Sequence, residues 1–249
     1  HTLSILTLLL CACGGGDLVR GQVVDIWGNP IEGATVKIVG QNERPLTDVN
    51  GWFKLPNIQG THTIKAGREG YIEDEMSMEL GTPETNHVIR LYPRPEKAGF
   101  WVVGSAGYVP LQPQPVQAFG NQIKTLYGIK TLGEASVDGS SLELIYHTDL
   151  RLDQVMTLEP QIHKLAFQRD AKLIGALATE VRVNLWVSED PLKTTLTPMK
   201  SRTDYKLVTD DVQPGGYALT TNNLLNPRTD EEFTKIAEPL RIVFPMELR

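Results

Sequence analysis

Gly28-Asn29-Pro30-Ile31-Glu32-Gly33-Ala34-Thr35-Val36-Lys37-Ile38 and, after a short break, Thr47-Asp48-Val49-Asn50-Gly51-Trp52-Phe53-Lys54-Leu55 decide the fold. Both stretches put a turn directly before an alternating run. Pro30 presets a turn, and Gly33-Ala34 lets the next strand pack closely. Val36 and Ile38 then face away from Lys37 and Val39. In the second stretch Asp48 and Asn50 can hydrogen-bond their own backbone, and Gly51 can take a positive φ. Phe53 and Leu55 follow on one face. Period-two alternation bounded by such turns predicts β-strands.

The same texture extends outward. LVRGQVVDIWG precedes these stretches; THTIKAGREGYI and HVIRLYP follow them. Helical periodicity is absent. The expectation for residues 18–92 is an antiparallel β-sandwich.

The spaced set Gly21-x-Val23, Gly28-Asn29-Pro30-Ile31-x-Gly33-Ala34-x-Val36, Thr47-Asp48-x-x-Gly51-x-Phe53-x-Leu55, Gly60 and Gly70-Tyr71 is similar to the carboxypeptidase regulatory-like domain. That family is a small transthyretin-like β-sandwich. The resemblance covers roughly 75 residues and implies a module that is usually non-catalytic, serving as a spacer or docking surface beside another domain. It carries no peptidase active-site residue with it. Tyr71 is expected to cover the end of the sandwich.

Pro93-Arg94-Pro95-Glu96-Lys97 is polar and stiff, and two prolines disfavour strand continuation. Residues 93–97 are therefore expected to be a linker, and residues 98–249 a second domain. Its candidate strands lie in GFWVVG, QIKTLYGIKT, SLELIYHT, IHKLAFQ, EVRVNLWVS, DYKLVT, GYALTT and LRIVFPMEL. In the last run Leu240, Ile242, Phe244 and Met246 are expected to share a face. About eight short runs in this length predict a second, immunoglobulin-like β-sandwich of unknown function. Gln213-Pro214-Gly215-Gly216-Tyr217 reads as a turn entering an aromatic strand. DEEFTKIA (230–237) reads as a short helix with acids in its first turn, and DAKLIGALA (170–178) fits either helix or strand. The fold class expected for the chain is all-β, two sandwiches in tandem after an apolar N-terminal segment.

That segment, HTLSILTLLLCACGGG, covers residues 1–16. Its apolar run from Leu3 to Ala12 is too short to span a bilayer but has the length of a signal-peptide core. Leu10-Cys11-Ala12-Cys13 resembles a lipobox, which implies cleavage before Cys13 and a covalent lipid on its thiol. Residues 1–17 would then be signal, anchor and glycine tether. The first basic residue is Arg20, so the basic start of such a signal would precede His1. An uncleaved membrane helix whose first half precedes His1 is the rival. Gly14 follows Cys13 where an Asp would be the usual inner-membrane retention signal in enteric-type bacteria, which favours the outer membrane.

Net charge is −6 and no Lys/Arg run occurs, which argues against nucleic acid as a partner. Both cysteines lie in the leader, so the body offers no disulfide, thiol nucleophile or thiolate metal site. Apart from the lipid no cofactor is expected. His62, His87, His147 and His163 show no metal-ligand spacing and are expected at the surface or capped. Asp48-x-Asn50-Gly51 resembles the start of a calcium loop, but no late bidentate glutamate follows. Glu73-Asp74-Glu75 reads as a solvated loop. No nucleophile elbow, phosphate loop or dinucleotide fingerprint is present.

Trp27, Trp52, Tyr71 and Trp101 are the candidate docking residues, since exposed aromatic side chains dominate binding energy at protein interfaces. The resulting expectation is a non-enzymatic, membrane-anchored accessory lipoprotein facing the periplasm or cell surface. Its partners would be other envelope proteins and the membrane itself. A carbohydrate- or peptide-binding adhesion module is the alternative. A hydrolase with its site in the second domain is a third reading, and it would need a deep pocket with converging polar groups.

Overall fold

The computed structural model describes residues 19–56, 58–81, 87–120, 125–133, 135–137, 141–174 and 180–249. Cys11, Cys13 and the rest of residues 1–18 lie outside the described residues. The chain divides into two compact units, His1–Tyr92 and Pro93–Arg249.

The first unit holds β1 (Val19–Asp25), β2 (Thr35–Ile38), β3 (Trp52–Leu55), β4 (Gly60–Gly67), β5 (Tyr71–Ile72), β6 (Asp74–Leu80) and β7 (His87–Pro93). They form a four-stranded sheet, β3-β1-β7-β5, and a three-stranded sheet, β2-β4-β6. β1 is antiparallel to β3 but parallel to β7. The alternation predicted from sequence sets the core. Val23, Phe53, Leu55, Ile89 and Leu91 from one sheet meet Val36, Ile38, Ile64, Met78 and Leu80 from the other. Val39, on the face opposite Val36 and Ile38, is exposed.

Two glycines in the decisive stretches have steric reasons. Gly51 has φ +76°, and a Cβ there would sit 2.4 Å from the Val23 carbonyl oxygen. A Cβ on Gly21 would sit 2.3 Å from the Phe53 ring, its cross-strand partner. Side chains finish the turns. Asp25 Oδ1 accepts from the Trp27 and Asn29 amides at 2.9 and 2.8 Å. Thr47, buried, accepts from the Ala34 amide and donates to the Ile31 carbonyl.

The second unit is also all-β. Its strands are β8 (Gly99–Val103), β9 (Tyr108–Pro110), β10 (Gln114–Pro115), β11 (Gln117–Gly120), β12 (Thr125–Ile129), β13 (Ser136–Val137) and β14 (Leu142–His147). They continue with β15 (Gln161–Ile174), β16 (Glu180–Pro191), β17 (Thr195–Pro198), β18 (Asp204–Thr209), β19 (Gly215–Thr220) and β20 (Ile242–Leu248). Two short helices, α1 (Leu152–Thr157) and α2 (Asp230–Lys235), complete it.

A five-stranded sheet, β17-β18-β14-β8-β9, packs on an eight-stranded one ordered β10-β20-β19-β15-β16-β12-β11, with β13 beside β20. Val102, Leu142, Leu144 and Leu207 meet Ile162, Tyr217, Leu219, Met246 and Leu248 between them. The eight-stranded sheet is covered on its other face as well. There Ile129, Leu165, Ala218 and Val243 pack with Leu224, Leu225 and Phe233 of α2.

This second layer corrects the expected face of the last strand. Leu240 belongs to a 3₁₀ turn, Glu238–Leu240, and is 62% exposed. Pro239 in that turn delays the strand to Ile242. Phe244, Met246 and Leu248 line one core and Val243 the other, so the strand is apolar on both faces. Tyr217, from the Pro-Gly turn, is buried; its hydroxyl donates to the Gln213 carbonyl and accepts from the Gln213 amide at 3.1 Å. The described part of DAKLIGALA, residues 170–174, continues β15 as strand. α2 forms where acids were expected to start a helix, with Thr229 capping the Glu232 amide.

Residues 93–97 are held within the second unit. The Tyr108 hydroxyl donates to the Pro93 carbonyl at 2.7 Å, and Arg94 Nε lies 3.5 Å from Asp204. Pro95 is buried, and Trp101 Nε1 donates to the Lys97 carbonyl at 3.0 Å.

Candidate functional site

Of the aromatic candidates, Trp52 lines an open cleft. β3 is the end strand of its sheet. Trp52 and Lys54 alternate with the buried Phe53 and Leu55, so both project from the outer face. Trp52 is 40% exposed, and in register with it stand Gln22 on β1 and, beyond, Val88 on β7. Leu46 and Val49, from the loop leading into β3, are 63% and 66% exposed. A cleft of about 630 Å³ lies here, lined by Arg20, Pro45, Leu46, Asp48, Trp52, Phe53 and Lys54.

The cleft follows from hydrogen-bond geometry. The Val23 amide donates to the Gly51 carbonyl at 2.8 Å, which puts Phe53 and Leu55 in bonded register with β1. Trp52 and Lys54 therefore direct their amides and carbonyls away from β1. Trp52 spends these groups on Asp48: its amide donates to Asp48 Oδ1 at 2.9 Å, and its carbonyl accepts from the Asp48 amide at 3.0 Å. Two residues further along, the chain before β3 departs to the other sheet. The Thr47 amide donates to Ala34 and the Pro45 carbonyl accepts from Val36, both on the β2 side. The loop and β3 splay apart, and the cleft opens between Leu46 and Lys54.

Arg20 and Lys54 are cross-strand partners on the outer face. Both are exposed, and neither has an ion pair among the described residues. Like charges directly opposite one another are unfavourable in a sheet. Asp48, the acid of the cleft, uses Oδ1 on the Asn50 and Trp52 amides. That is a turn-forming role, in place of the calcium-loop start its spacing resembles.

The other docking candidates lie elsewhere. Trp27 is half-buried in the turn after β1 and does not line the cleft. Tyr71 lies on β5, at the far edge of the same sheet from β3. It packs against the core, and burial, then the nearby Asp25 carboxylate, pushes its hydroxyl pKa up. Trp101, in the second unit, is half-buried and meets Tyr108 edge-on at 6.4 Å. The Glu73-Asp74-Glu75 acids are partly engaged, since Lys65 bridges Glu73 at 2.5 Å and Glu75 at 3.8 Å.

Two histidines are held by strong partners, and one of them is fully buried. His163 is fully buried, with Nδ1 2.7 Å from Ser188 Oγ and Nε2 without a hydrogen-bond partner. Burial lowers its pKa to about 4, so the ring is neutral near pH 7. The expectation of a surface or capped residue is met at Nδ1 but not in exposure, since the strand pattern gives no sign that both faces of the sheet are covered. His147 Nδ1 lies 2.7 Å from Oδ1 of the buried Asp204. Ser201 and Thr203 hydroxyls donate to the other oxygen of that carboxylate. A hydrolytic triad needs the hydroxyl on the imidazole and the acid behind it. Around Asp204 the hydroxyls contact the acid instead; at His163 the second ring nitrogen has no orienting partner. Among the described residues no cluster of three or more metal-ligating side chains occurs.

Residues 19–98 match the family model of the CarboxypepD_reg-like domain. That match includes the residues from which the resemblance was read and extends from β1 to just past β7. No curated protein matches the chain. Among solved structures, a C-terminal interface mutant of the type II cohesin–X–dockerin complex from Acetivibrio cellulolyticus is 24% identical, over 31% of this chain and 58% of that one, with TM-score 0.28. The corresponding N-terminal interface mutant is 23% identical over the same shares, with TM-score 0.23. A "putative carbohydrate binding protein" from Bacteroides uniformis ATCC 8492 is 10% identical, over 81% of this chain and 86% of that one, with TM-score 0.26. The chain therefore spans less than two thirds of the cohesin-complex chains, and TM-scores this low say nothing of shared function.

Proposed function

We propose that the chain is a non-catalytic, membrane-anchored accessory protein of a bacterial envelope assembly, acting through protein–protein contacts. The observation that carries this reading is Trp52: a large, exposed aromatic beside a cleft, on a domain of a class that usually docks rather than catalyses. An amphipathic aromatic at a concave edge is the kind of residue on which binding energy concentrates. The Leu10-Cys11-Ala12-Cys13 sequence supports a lipid anchor at Cys13, with the body facing the periplasm or cell surface. A two-chain anchor of that type holds a protein to a membrane durably.

Purification from native membranes tests both parts. Mass spectrometry of the mature N-terminus is expected to find lipid on Cys13, and envelope proteins are expected to co-purify. An intact bond between residues 12 and 13 without lipid contradicts the anchor. A chain that emerges alone and monomeric contradicts the accessory role.

A further inference from the structure

We infer that the cleft between Leu46 and Lys54 is a strand-accepting slot for an extended acidic segment of a partner protein. This rests on the reading above and names the partner's chemistry. The backbone defines the slot. Asp48 and Trp52 are paired, and continuing that ladder would pair Leu46 with Lys54, yet no backbone hydrogen bond joins them. Thr47 and Pro45 are bonded to the β2 side, so Leu46 turns its amide and carbonyl away from β2. Lys54 turns its own outward, away from β1. Leu46 and Lys54 therefore both border the open cleft with backbone groups that are bonded to neither β2 nor β1. Strand addition at such an edge takes its affinity from main-chain bonds and its specificity from alternate side chains.

The side chains give the specificity. Arg20 and Lys54 stand side by side without a counter-charge among the described residues, at a register position where their repulsion is unfavourable. A carboxylate in the cleft that both side chains line offsets that repulsion. Trp52 and Leu46 flank the same cleft and offer apolar surface to the residue two positions along the incoming strand, on the same face as Lys54. A segment with an acid and an apolar residue two positions apart, on one face, satisfies both demands; a basic segment satisfies only one.

Titration of the full chain with a capped hexapeptide carrying valine and glutamate two positions apart, with threonine between them, tests this, beside its counterpart with lysine for glutamate and phosphatidylglycerol vesicles. The acidic peptide is expected to bind and to shift the amide resonances of residues 46–48 and 52–55. The doubly charge-reversed variant, Arg20→Glu with Lys54→Glu, is expected to bind it about tenfold more weakly and to prefer the lysine peptide. Unchanged thermal unfolding confirms that this variant is folded. Equal binding of both peptides, an unchanged affinity after charge reversal, or binding of the vesicles but not the acidic peptide would overturn the inference. If a native partner is still lost on Trp52→Ala while neither peptide binds, the slot fails and the accessory role stands. If the acidic peptide binds but the chain purifies alone, the slot stands and the role fails.

Discussion

Asp48 and Trp52 hold each other twice, amide to carbonyl at 3.0 Å and amide to carboxylate at 2.9 Å. This pair is the last closed rung before the loop and β3 separate, so it fixes where the cleft begins. Asp48→Ala removes the side-chain acceptor for two amides, those of Asn50 and Trp52. The expected cost is about 1–2 kcal/mol, because hydrogen bonds to a charged acceptor are lost at an exposed site. Chemical denaturation followed by tryptophan fluorescence measures it, and the Trp52 environment is expected to loosen with it.

Gly51→Ala is expected to damage the first unit more than Gly60→Ala. Both positions have positive φ, +76° and +100°, but only at Gly51 would a Cβ meet a backbone oxygen at 2.4 Å. The strained conformation and the clash together cost about 2–3 kcal/mol, against about 1 kcal/mol for conformation alone. Equal losses in denaturant midpoint would contradict this account of the turn.

Stability is expected to fall between pH 6.5 and pH 4 through His163. Its folded pKa of about 4 lies below the unfolded value of 6.5 because burial penalises the imidazolium. Above pH 6.5 neither state is protonated and the full stability is present. As pH falls from 6.5 toward 4 the unfolded chain takes up a proton that the folded chain refuses, and about 3 kcal/mol is lost. His163→Gln keeps a polar group near Ser188 but cannot titrate. Its stability, measured by denaturation across that range, is expected to have a shallower pH slope than the parent chain.

Asp204→Ala is expected to cost about 3–5 kcal/mol, since it strands His147, Ser201 and Thr203 around a buried site. Arg94→Ala removes a longer, partly solvated contact with the same carboxylate and is expected to cost under about 1 kcal/mol. Comparable losses for the two would mean that Arg94 is central to the cluster.

The parts legible in the sequence are those written in neighbouring residues. Pro30, Gly33, Asp48 and Gly51 mark turns whose chemistry is local, and Phe53 and Leu55 show their face by alternation. The Asp204 cluster is different, for it draws on positions 94, 147, 201, 203 and 204, which only the sheet order brings together. Burial of His163 and the position of Leu240 depended on a second apolar layer, and no single strand announces that its other face is covered. α1 carried no periodic signal in its six residues. Trp52 was visible as a candidate, but its cleft was not. The opening depends on Leu46 leaving β3 for the β2 side, which is a fact of tertiary path rather than of local pattern.

The central claim is that the chain works by holding a partner at the Trp52 edge. Quantitative co-purification from native membranes, parent chain against Trp52→Ala, tests it most directly. The account predicts a stoichiometric envelope protein with the parent chain and its loss from the variant, with folding and membrane association unchanged. An identical set and amount of co-purifying protein from the two chains would contradict it.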